Sequence, residues 1–155
     1  MKILILSDSH GNWDPMLRAA ERERPDGIFH LGDGWREAQR LHRQFPELLF
    51  YQVPGNCDLA AGAPAEQVVT LEGKRILLCH GHTYHVKSSL LAAGYAAEEQ
   101  HLDAFLFGHT HKPLVDRRGQ TLFLNPGSIG DYLHPFYGLL TIDGGRLDGR
   151  TVPLA

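Results

Sequence analysis

Five short apolar runs along this chain each stop abruptly at polar residues. Ile3-Leu4-Ile5-Leu6 gives way to Ser7-Asp8-Ser9-His10, Ile28-Phe29-His30-Leu31 to Gly32-Asp33, and Leu48-Leu49-Phe50-Tyr51-Gln52-Val53 to Pro54-Gly55-Asn56. Ile76-Leu77-Leu78-Cys79 leads into His80-Gly81-His82, and Ala104-Phe105-Leu106-Phe107 into Gly108-His109-Thr110-His111. Runs of this length flanked by turn residues predict buried strands. Between the first three the apolar spacing changes: Trp13, Met16, Leu17 and Ala20 predict one face of a helix over 13–24, closed by Pro25-Asp26-Gly27. Residues 35–45 predict a second amphipathic helix, stopped before Pro46. Strand, helix, strand, helix, strand implies parallel pairing through right-handed crossovers.

The second half reads differently. Residues 67–80 predict two strands around the turn Glu72-Gly73-Lys74, residues 87–100 a helix interrupted by Gly94, and residues 103–107 a strand. Two further hairpins are expected at 115–124, around Arg118-Gly119, and at 137–152, around Asp143-Gly144-Gly145. The stretch 57–66 has no clear periodicity and is expected to be a loop near the rim of the sheet. A mixed β sandwich with helices on its outer faces accommodates both halves. At 155 residues and 43% hydrophobic content the chain is expected to form a single domain over 1–155.

Charge narrows the partners. Fifteen basic and 18 acidic residues leave a formal net charge of −3, so no broad positive field draws nucleic acid, which is not expected as a partner. The apolar start ends at Ser7-Asp8, too soon for a signal segment, and no run approaches the roughly 20 residues of a membrane span. A soluble protein is expected. Cys57 and Cys79 each stand beside a candidate ligand rather than in a disulfide framework, which fits a reducing cytoplasm. Self-association stays open.

The residues that end the five runs share a chemistry. Carboxylates, imidazoles and a carboxamide suit a divalent ion of intermediate hardness, such as manganese, iron or zinc, better than calcium or a sulfur-held structural zinc. Seven candidates, Asp8, His10, Asp33, Asn56, His80, His109 and His111, are too many for one catalytic ion with an open position, whereas two ions sharing a bridging carboxylate would use them all. Asp8 and His10, two apart on an extended segment, can face one ion, and Asp33 between Gly32 and Gly34 is the best bridge. A two-ion centre holds an anionic phosphoryl oxygen while an activated water attacks in line.

The order Asp-X-His, Gly-Asp, Gly-Asn, Gly-His and Gly-His-X-His from residue 8 to residue 111 resembles the calcineurin-like metallophosphoesterases. The short length and the block Gly55-Asn56-Cys57-Asp58 look like the YfcE-type phosphodiesterases of that superfamily. The resemblance implies an α/β, four-layer αββα sandwich and hydrolysis of a small phosphate ester, a diester before a monoester. It also implies one ion held by Asp8, His10, Asp33 and His111, and another by Asp33, Asn56, His80 and His109. Manganese is the usual metal, with iron, nickel, zinc or magnesium as alternatives. Larger members carry a histidine where this chain has Cys57, a weak donor more prone near cations to ionise or bind metal than to protonate an alkoxide. Esters with good leaving groups should therefore be favoured, with His82 as a substitute donor and Asn12 as a phosphate contact. The alternative is a weakly active or inactive partner-binding subunit of the same fold, as in the retromer coat. Among the other imidazoles, His30 is expected to be a hydrogen-bonded core residue, and His42, His85, His101 and His134 surface residues. Cys79 is expected to be a buried thiol, and Asn125-Pro126-Gly127-Ser128 a loop helping to shape the site.

Overall fold

The computed structural model describes residues 1–59 and 61–155; Ala60, in the expected loop over 57–66, lies outside them. The first half builds β1 (Lys2–Leu6), α1 (Trp13–Glu23), β2 (Gly27–His30), α2 (Trp35–Gln44) and β3 (Leu49–Gln52), with β1, β2 and β3 parallel. In β1 the period-two alternation serves two cores at once: Ile3 and Ile5 face the space between the sheets, Leu4 and Leu6 the helices outside. Met16, Ala19 and Ala20 of α1, with Leu41 of α2, cover that outer face.

The second half adds β4 (Glu66–Leu71), β5 (Lys74–Cys79), a 3-10 turn (His82–Tyr84), α3 (Leu91–Glu99), β6 (Ala104–Leu106), β7 (Leu114–Arg118) and β8 (Thr121–Asn125). The order of this sheet is β4-β5-β6-β8-β7. Ile76, Leu78, Ala104 and Leu106 point into the shared core, while Leu77, Cys79 and Phe105 pack under Ala93 and Ala97 of α3. The remaining hairpin, β9 (Phe136–Asp143) and β10 (Arg146–Pro153), crosses back to the first sheet, whose order is β10-β9-β1-β2-β3 with β9 antiparallel to β1. The result is the expected αββα sandwich. The carboxyl ends of β1, β2, β3, β5 and β6 open onto one rim.

One boundary and one short element depart from expectation. The helix expected over 87–100 starts only at Leu91, because the chain before it coils into turns closed by Ser88 and Ser89 amides on His85 O, and Ser89 Oγ accepts from the Leu91 amide. The 3-10 turn after His80 carries no periodicity that the sequence could reveal. Among the described residues no helix is long and apolar enough to cross a membrane, and neither cysteine is bridged.

Candidate metal centre

The chain leaves β1 in a left-handed twist, with φ 55° at Asp8 and 45° at His10. The extended segment expected there is therefore wrong. The two side chains still reach one site because the turn is pinned: the Asp8 amide donates to Gly32 O and the His10 amide to Asp33 O, both at 2.9 Å. From the other side Ser128 Oγ donates to Asp8 O at 2.8 Å, and the Gly130 amide reaches the same oxygen at 3.2 Å. The loop after β8 thus backs the site, as expected. Buried Asn125 extends this support, its Nδ2 donating to Gly108 O and Thr110 Oγ1 on the loop that carries His109 and His111.

Two carboxylates form the centre. Asp8 Oδ2 accepts from Ser7 Oγ at 2.6 Å and from the His109 amide at 3.0 Å. Its Oδ1 faces inward, 3.1 Å from His111 Nε2, 3.6 Å from His10 Nε2 and 3.8 Å from His80 Nε2. Asp33 is also left-handed, with φ 58°. Its Oδ1 accepts from the Cys57 amide at 2.8 Å, and its Oδ2 lies 3.3 Å from His80 Nε2 and 3.8 Å from His10 Nε2. Burial alone would raise the Asp33 pKa, but the His80 ring and the Cys57 amide outweigh it and hold this carboxyl well below the usual range. His80 donates from Nδ1 to Leu31 O at 2.8 Å, which turns Nε2 toward the carboxylates. Burial opposes protonation of that ring, while the nearby Asp33 and Asp8 carboxylates prevail and push its pKa up.

Asp8 Oδ1 and His80 Nε2 are buried and lack a hydrogen-bond partner among the described residues. An acceptor oxygen and an imidazole nitrogen left facing each other beside a second carboxylate call for a cation. Three overlapping groups have ligand atoms within 4.8 Å of one another: Asp8 with His10 and His111, Asp8 with Asp33 and His80, and Asp33 with His10 and Cys57. Hard carboxylates with imidazoles fit a divalent transition ion.

The other candidates lie around this cluster. The His109 ring centroid is 5.0 Å from that of His80, and the His82 centroid is 5.5 Å from His80 and 6.1 Å from His109. Burial, followed by the neighbouring His80, lowers the pKa of both His82 and His109, which favours neutral imidazoles able to ligate. Asn56 lies on an exposed turn, its Nδ2 3.8 Å from Cys57 Sγ. Cys57 is exposed, and its thiol is pushed up by loss of hydration and then by Asp33, Asp58 and Asp8. Its expected ionisation would therefore have to come from bound cations. Asn12 forms the N-cap of α1 without a side-chain cap bond, which leaves its carboxamide uncommitted.

Beneath the candidate ligands lies a polar layer of which only His30 was expected. Because the Gly32 amide donates to His30 Nδ1 at 3.2 Å, the proton sits on Nε2, which donates to Ser9 Oγ at 2.9 Å. Ser9 in turn donates to Glu37 Oε2 at 3.0 Å, and the Gly11 amide shares that oxygen. Asp58 is the most connected residue that sequence reasoning passed over. Its carboxylate accepts from the amides of Asp33 at 2.7 Å, Gly55 at 2.8 Å, and Gly34 and Trp35 at 3.2 Å. It thus caps α2 from another loop, where Gly34 offers no side-chain cap. The role expected for Gly34 also changes: its φ of 166° is extended, and glycine is needed because a Cβ would strike Ser9 Oγ and the His30 ring. His42, His85, His101 and His134 are exposed, and Cys79 is buried.

Residues 1–145 match the model of the calcineurin-like phosphoesterase superfamily domain. The chain belongs to that superfamily. It is 37% identical over 132 residues to the probable metallophosphoesterase YsnB of Bacillus subtilis (strain 168), covering 83% of this chain and 75% of that protein. To the phosphodiesterase YfcE of Escherichia coli (strain K12) it is 30% identical over 156 residues, covering 83% of this chain and 79% of the relative. A crystal structure of a conserved Streptococcus pneumoniae TIGR4 protein, itself a predicted phosphoesterase, superposes with a TM-score of 0.80 at 30% identity, over 99% of this chain and 89% of the other. Metal dependence and phosphoester hydrolysis are thus properties of the family to which the chain belongs, and the site offers a set of candidate ligands.

Proposed function

We propose that the chain is a phosphodiesterase that acts as a single domain in the cytoplasm and works with two divalent ions, manganese by preference. One ion would be held by Asp8, His10, Asp33 and His111, and the other by Asp33, Asn56, His80 and His109. The observation that carries the reading is the unpartnered, buried pair Asp8 Oδ1 and His80 Nε2 beside Asp33 Oδ2, an electrostatic arrangement that favours cations. Divalent ions there supply Lewis-acid charge for the phosphoryl oxygens and acidify water.

The chain's own groups do the positioning. Ser7 and the His109 amide fix the outer oxygen of Asp8, and the Cys57 amide fixes that of Asp33, so each carboxylate presents its other oxygen inward. Leu31 O sets the tautomer of His80. Asn12, uncommitted at the N-terminus of α1, can donate to a phosphoryl oxygen. The exposed Cys57 thiol cannot protonate a poor leaving group well, so activated diesters are the preferred substrates.

The test is hydrolysis of bis(4-nitrophenyl) phosphate by manganese-loaded protein, with Asp33→Ala and His109→Ala as references and the bound metal counted. Wild type should exceed both variants by about a hundredfold or more and carry two ions per chain. Equal turnover in all three would sink the enzymatic reading in favour of a partner-binding role.

A further inference from the structure

The segment that follows His80 and the segment that carries His109 and His111 border an open trough of about 620 Å³. Its lining is apolar below, with Val86, Leu90, Phe107 and Leu114, and bears Lys87 and Lys112 on its edges. Both lysines are exposed, and neither has an ion pair among the described residues. In a chain of net charge −3, two unpaired ammonium groups over one trough are a local reversal of sign.

Each lysine is tied to the centre through its own loop. Lys112 follows His111 directly, and its amide donates to Thr110 Oγ1 at 3.1 Å, the hydroxyl that buried Asn125 also holds. Lys87 lies one residue after Val86, whose amide donates to Gly81 O in the turn next to His80. Thr110, between the two histidines, lines the trough as well. The trough thus shares its edge residues with the two loops that carry the candidate ligands His80, His109 and His111.

We propose that the trough is a subsite for that arm, and that the arm consists of a flat or apolar body followed by a second anionic group paired with Lys87 and Lys112. This deepens the phosphodiesterase reading and rests on it. The apolar walls exclude water from the body of the arm, and the two ammonium groups pair with its terminal anion. A nucleoside bearing a second phosphate has this chemistry; a simple aryl diester lacks the terminal charge.

The test compares two chromogenic diesters, bis(4-nitrophenyl) phosphate and thymidine 3′-phosphate 5′-(4-nitrophenyl phosphate), on wild type and on the double variant Lys87→Ala/Lys112→Ala. The variant should raise KM for the doubly anionic ester by about tenfold, as expected for loss of two partly exposed ion pairs, with kcat retained and the aryl diester changed less than about twofold. Calorimetric titration of manganese-loaded protein with thymidine 3′,5′-bisphosphate should show the same loss of affinity. Equal affinity of wild type and variant for the bisphosphate overturns the subsite whether or not either ester is hydrolysed. Absence of turnover together with lysine-dependent binding would instead fault the catalytic reading and keep the subsite. If the variant changes only the sedimentation of the protein, the trough is a face between copies and the proposal falls.

Discussion

His30 lies under the Asp8 turn with both ring nitrogens committed, and burial brings its pKa down from 6.5 to about 4. Glu37, Asp8 and Asp58 pull the other way and His80 adds to the lowering, yet burial dominates. Below pH 6.5 the unfolded chain takes up a proton that the native ring refuses, so this contribution to stability is complete above pH 6.5 and declines as the pH falls toward 4. Denaturant titrations across that window should show His30→Gln losing a dependence worth about 3 kcal/mol in wild type, while parallel curves for the two proteins would contradict the account. Cys57 is the other residue with a prediction of its own. Cys57→His introduces an imidazole able to protonate a departing alkoxide, so kcat/KM should rise most for the poorest leaving groups in an ester series. A uniform change would mean that protonation does not limit the reaction.

At the level of elements, two glycines that look alike in sequence should respond in opposite ways to alanine. Within α3, a Cβ at Gly94 would meet nothing within 4 Å, so Gly94→Ala removes only unfolded-state freedom and should stabilise by about 0.5–1 kcal/mol. At the start of α2, Gly34→Ala forces a methyl against Ser9 Oγ and the His30 ring and should destabilise by about 2 kcal/mol or more. Urea unfolding of both variants checks the pair, and a stabilised Gly34→Ala would refute the steric argument. Helices and strands were legible here because apolar spacing records which face is covered. The start of α3 was not, since the turns over 85–90 are held by main-chain carbonyls and one serine hydroxyl. The role of Asp58 escaped notice for a related reason: four amides from two segments of chain converge on it, and amides leave no trace in composition.

On the scale of the whole molecule, the gathering of strand ends onto one rim could be read from order alone, because parallel crossovers place successive carboxyl ends side by side. The return of β9 to pair with β1 could not, since the hydrophobic pattern of a strand does not name its neighbour. Nor could the backbone sign at the candidate ligands. Asp8, His10, Asp33, His109 and His111 all have positive φ, a region that costs an ordinary side chain roughly 1 kcal/mol and glycine almost nothing. Arg24, Glu72, His85 and His101 take up the same backbone region away from the site, so the twist alone does not mark a ligand. At His10 and His111, whose side chains are exposed, it does mean that glycine relieves the backbone while deleting a group that can face a cation, so loss of bound metal there should come without a matching loss of fold.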